Sequence, residues 1–124
     1  MRAQLSFAAA DRLHRSAEFL RLQRNGVRFQ SPHFVLYAGA LDADPDRSRL
    51  GVTVSRRIGN AVARNRVKRR VRECFRNVLR AELPPRTSLV VIARGGAAAL
   101  QSRAISDELA MAARNLRGRL AGHS

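Results

Sequence analysis

The chain has 124 residues, enough for one domain with a modest core and too few for two ordinary ones. Its 24 Lys+Arg against 9 Asp+Glu leave a formal charge of +15, which calls for a polyanionic partner: nucleic acid, an anionic membrane surface or an acidic protein. The single cysteine, Cys74, excludes an internal disulfide and any multi-cysteine metal site and fits a reducing cytosol. The apolar stretch Leu5 to Ala10 is broken by Ser6 and is too short for a secretory signal, so a soluble, cytoplasmic protein is expected.

From Ser16 to Arg24, Phe19, Leu20 and Leu22 interleave with Arg21 and Arg24, which predicts a short amphipathic helix capped at Ser16 and ending near Asn25-Gly26. Val27 and Phe29 then alternate with Arg28 and Gln30, Ser31-Pro32 breaks the run, and Phe34 to Ala38 forms a second β-type stretch. In that stretch Phe34, Leu36 and Ala38 share one face, Val35 and Tyr37 the other. Leu41 to Asp46 carries three acids and a proline without periodicity and reads as a loop. Leu50, Val52 and Val54 form a third strand whose other face bears only Gly51 and Thr53, open to close approach.

After Gly59-Asn60 the period becomes helical: Val67, Val71, Cys74, Phe75 and Val78 make one apolar stripe, and Pro84-Pro85 ends it. Leu89 to Ala93 suits a buried strand. Gly95-Gly96 leads into a last helix with Ile105, Leu109, Ala112, Leu116 and Leu120 on its apolar face. The elements run αβββαβα, an α+β single domain over residues 1–124 with about four strands backed by helices.

Between Ser55 and Arg80 stand ten basic residues (Arg56, Arg57, Arg64, Arg66, Lys68, Arg69, Arg70, Arg72, Arg76, Arg80) and one acid, Glu73. On a helix Arg64, Lys68, Arg72, Arg76 and Arg80 form an i, i+4 ladder with steps of about 6 Å along the axis, fit to track a phosphate backbone. The apolar stripe faces the sheet and is expected to leave Arg66, Arg69, Arg70 and most of the ladder towards solvent. Arginine predominates, and its planar fork matches phosphate oxygens and stacks on bases, which favours nucleic acid over a membrane. A merely solvated face would intersperse acids for pairing.

The string from Leu50 to Glu73, LGVTVSRRIGNAVARNRVKRRVRE, closely resembles the signature of the bacterial ribonuclease P protein family, with Arg64-Asn65-Arg66 as its central RNR. The likeness extends to Arg12-Leu13, Glu18-Phe19, Gly26, Phe34-Val35-Leu36-Tyr37 and Val91-Ile92-Ala93-Arg94 in the same order. The resemblance implies a subunit that binds a large catalytic RNA and helps it remove the 5′ leader of precursor tRNA. It puts Arg64, Asn65, Arg66, Lys68, Arg69 and Arg72 against the catalytic RNA. It also implies a leader-binding cleft lined by Phe19, Val35 and Tyr37, with Arg56, Arg57 and Arg94 as its basic residues, and a left-handed crossover through the RNR helix, against the usual hand. Two positions depart from the family pattern: Gln23, where relatives often place a second aromatic, and Gly95, where a second basic residue is common.

No residue set makes a hydrolytic site in the protein itself. His14, His33 and His123 are scattered without metal-ligand spacing, so no catalytic and no metal-binding residue is assigned. Any Mg²⁺ is expected at the RNA active site, and no small-molecule substrate is expected. Without the resemblance, a ribosomal protein or RNA chaperone would be the alternative. A DNA-binding regulator ranks third, because no short helix and turn precede the basic helix.

Overall fold

The computed structural model describes residues 16–40 and 49–121. The Leu5 to Ala10 stretch, Arg12-Leu13, His14, His123 and the Leu41 to Asp46 segment lie outside the described residues. Helix α1 (Ser16–Asn25) is followed by strands β1 (Val27–Gln30), β2 (Phe34–Ala40) and β3 (Leu50–Thr53). Helix α2 (Ala61–Cys74) continues without a break through a π-helical turn (Phe75–Leu79) into the single turn α3 (Arg80–Glu82). Strand β4 (Thr87–Ala93) and helix α4 (Ser102–Ala121) complete the order. The side chain of Ser16, the expected cap, is likewise outside the described part.

The four strands form one mixed sheet in the order β1-β2-β4-β3, antiparallel except for the β3–β4 pair. This is the α+β, helix-backed sheet that the patterning predicts. One face carries Val27, Phe34, Leu36, Ala38, Leu50, Leu89 and Val91, which pack with Val67, Val71, Phe75 and Leu79 of the α2 segment and with Ile105, Leu109 and Leu116 of α4. The main core therefore lies between the sheet and these two helices.

Where the predicted α-helical stripe ends in Val78, Leu79 is fully buried and Val78 only partly so. The π turn explains the exchange. One extra residue per turn rotates everything beyond Cys74 about the axis, so the inward face passes to Leu79 and then Leu83. The same rotation takes Arg80 out of line with the arginine ladder, and its guanidinium lies 5.2 Å from the Phe75 ring centroid.

Two glycines are required by close approach or by backbone sign. A Cβ at Gly26 would come within 2.6 Å of the carbonyl oxygens of Leu22 and Ala38, where α1 folds back on the sheet. Gly96 has φ +88, the left-handed turn that releases the chain from β4. Among the described residues no helix is long and apolar enough to cross a membrane.

Candidate nucleic-acid interface

The second face of the sheet is the one left over by the core. Strand register puts Arg28, Tyr37, Val90 and Gly51 in one cross-strand row and Gln30, Val35, Ile92 and Thr53 in the next. Helix α1 covers part of this face: Leu22 is buried against Val90, and Phe19, Tyr37 and Ile92 pack around them half-exposed. Phe19 thus both packs and remains accessible, as do Val35 and Tyr37. On β3 Thr53 is exposed but Gly51 is buried, so the expectation that both leave their side of the face open is met only at Thr53.

Basic groups gather at one end of this face. Because β3 and β4 are parallel, the segments following both emerge at the end where β2 begins. There Arg56 and Arg57 sit exposed in a 3₁₀ turn (Arg56–Ile58). Arg94 is half-buried instead, and its guanidinium donates to the carbonyl oxygens of Ser31 at 2.8 Å and Pro32 at 3.4 Å, anchoring the β1–β2 turn. The sequence pattern does not single out Arg28, which register sets directly opposite Tyr37. Its only signal there is the alternation with Val27 and Phe29.

Asn60 caps α2, its Oδ1 accepting the Ala63 N–H at 2.8 Å. The helix then sorts its basic residues into three rows. Asn65 and Arg69 lie on the exposed crest. Arg64, Lys68, Arg72 and Arg76 run half-buried along one flank, with Arg64 Nε donating to the Gly59 carbonyl at 3.1 Å. The expectation that most of the ladder, and with it Arg66 and Arg70, faces solvent is corrected: of the ladder only Arg80 is exposed, and Arg66 and Arg70 are no freer. Both are half-buried on the other flank, where Arg66 donates to the Ala98 carbonyl at 3.5 Å and Arg70 to the Leu100 carbonyl at 2.8 Å. The turn after β4 brings these carbonyls within reach of long side chains, a tertiary contact that helical periodicity does not encode.

A family model described as Ribonuclease P matches residues 7–117. The chain belongs to the ribonuclease P protein family. It is a protein subunit of ribonuclease P, the endoribonuclease of tRNA processing, as the resemblance implied. The chain is 42% identical over 104 residues to the ribonuclease P protein component of Desulforapulum autotrophicum, covering 84% of this chain and 86% of that one. It is 47% identical over 90 residues to that of Gluconacetobacter diazotrophicus, covering 70% and 77%. Among solved structures, the RNase P protein of Staphylococcus aureus superposes with a TM-score of 0.73 at 29% identity over 86% of this chain and 97% of that one. The RNase P protein of Thermotoga maritima gives 0.72 at 30% identity over 84% and 96%.

On this ribonuclease P fold two further groups are structural. Glu108 of α4 receives donors from Ser31 and His33 and so fixes the same turn that Arg94 anchors. Burial alone would raise its carboxyl, but the side-chain donors Ser31 and His33 and the His33 backbone outweigh it and hold the group below its ordinary range. Cys74 is buried against Ser106, and burial, only partly offset by that hydroxyl, pushes its thiol up, so it stays neutral and packs as an apolar group.

Proposed function

We propose that the chain binds two RNAs through two surfaces of one RNA-binding domain: the catalytic RNA of ribonuclease P along α2, and the single-stranded 5′ leader of precursor tRNA on the sheet face beside α1. The observation that carries this reading is the half-exposed apolar face of Phe19, Val35, Tyr37 and Ile92 with arginines at its end. Aromatic surfaces stack on any base, and cationic groups neutralise a backbone whatever its sequence, which suits leaders of varied sequence.

In this reading Phe19, Val35 and Tyr37 meet leader bases, and Arg56, Arg57 and Arg94 meet its phosphates, Arg94 from the turn it anchors. Arg64, Asn65, Arg66, Lys68, Arg69 and Arg72 dock the catalytic RNA. Asn65 and Arg69 do so from the crest, and the others from the flanks. Mg²⁺ for hydrolysis belongs to the RNA component, since an arginine-lined surface repels a divalent cation. The cytoplasm is the expected compartment.

Tyr37→Ala tests the leader surface in the assembled holoenzyme. Loss of one stacking platform is expected to weaken precursor tRNA about five- to a hundred-fold while mature tRNA binds as before. Equal weakening of both ligands, or no change in a folded variant, contradicts the reading.

A further inference from the structure

Arg28 has no part in the roles assigned above, and its geometry gives it one. It lies on β1, an edge strand of the sheet, directly across from Tyr37, so both side chains rise from the same face. Its guanidinium carbon stands 6.0 Å from the Tyr37 ring centroid. Nε donates to the phenol oxygen at 3.3 Å and Nη2 to Gln30 Oε1 at 2.8 Å. Both partners are neutral, the side chain is exposed, and among the described residues no carboxylate pairs with it. Its backbone is fixed: β1 pairs with β2 along its length, and the Arg28 carbonyl accepts a bond from Arg119 of α4.

We propose that Arg28 and Tyr37 form one composite nucleotide subsite for single-stranded RNA, the ring taking a base and the guanidinium the adjoining phosphate. The inference rests on the leader-binding reading of this face and adds to it a specific cation. In the free protein the guanidinium occupies the ring as a placeholder. An exposed cation–π contact with a neutral hydrogen bond is weaker than base stacking together with a charge-assisted bond to phosphate. An arriving nucleotide therefore displaces the guanidinium from the ring and recruits it at the backbone. The two residues act as a unit, so removing either diminishes what the other contributes.

The test uses holoenzyme assembled with wild-type protein, Arg28→Ala, Arg28→Lys, Tyr37→Ala and the Arg28→Ala/Tyr37→Ala pair, each checked for an unchanged thermal melt. Affinities for precursor and mature tRNA are measured over a range of salt. Arg28→Ala is expected to weaken precursor binding about five- to tenfold, to leave mature tRNA unaffected, and to lower the log–log salt slope for the precursor by roughly one unit. Arg28→Lys should restore the slope, because it keeps the charge, but only part of the affinity, because it lacks the fork. The double variant should lose less than the product of the two single losses. If Tyr37→Ala weakens the precursor and Arg28→Ala changes neither affinity nor slope, the composite subsite is wrong while the leader reading stands. Multiplicative losses, or equal weakening of both tRNAs by Arg28→Ala, also overturn it. If neither single variant distinguishes precursor from mature tRNA, the subsite and the leader reading fall together.

Discussion

Glu108 of α4 and His33 of the β1–β2 turn are bonded twice: Glu108 Oε1 lies 2.8 Å from His33 Nδ1, and Oε2 accepts the His33 backbone N–H at 2.7 Å. The Ser31 hydroxyl donates to Oε2 as well. These bonds hold the carboxyl below its ordinary 4.5 despite its burial. A depressed carboxyl contributes stability that is present above the unfolded value and lost as pH falls through the lower folded one.

Glu108→Gln is therefore expected to melt at a lower temperature than wild type at neutral pH, with the gap closing as pH falls below the ordinary 4.5 and through the lower folded value. Thermal melts of both proteins across that range check it. A gap that stays constant would mean that the carboxylate charge contributes nothing.

The π turn predicts an unequal pair of neighbours. Leu79→Ala empties a fully buried position and is expected to cost about 2 to 5 kcal/mol, whereas Val78→Ala, at a half-buried site, should cost about 1 kcal/mol or less. Urea unfolding at matched m-values measures both. A larger loss at Val78 would restore the uninterrupted helical stripe.

That exchange marks a limit of what a sequence pattern encodes. The alternation of Phe34 and Leu36 with Val35 and Tyr37 assigns the two sheet faces correctly, because a period of two is a property of the strand itself. The switch to a helical period after Gly59-Asn60 is equally local. The π turn is not, since Phe75 to Leu79 is compatible with an ordinary helix and only the packing of Leu79 and Leu83 selects the extra residue. Likewise Arg66, Arg70 and Arg94 read as surface cations, yet each donates to carbonyls 30 or more positions away. The Arg28–Tyr37 pairing requires strand register, which no single strand encodes.

The flanks of α2 should divide by role. Replacing Arg64 and Lys68 together by Ala is expected to weaken binding to the catalytic RNA and to lower the log–log salt slope by roughly one unit, on the B-DNA scale, for each phosphate no longer neutralised. Folding should survive, because Asn60 still caps the helix. Arg70→Ala, by contrast, unties the Leu100 carbonyl and should cost about 1 to 2 kcal/mol of stability with a smaller change in slope. Salt-dependent binding together with denaturant melts separates the two, and unchanged slope and affinity in the folded double variant would remove this flank from the interface.

The most direct measurement is cleavage of precursor tRNA at low Mg²⁺ by the catalytic RNA alone, the protein alone and the two combined. Efficient removal of the leader is expected only from the combination, with the RNA alone requiring more Mg²⁺ and the protein alone inert. Protein-only turnover that persists after nuclease treatment and repurification, or an RNA whose Mg²⁺ requirement the protein does not lower, would contradict a subunit that assists RNA-borne catalysis.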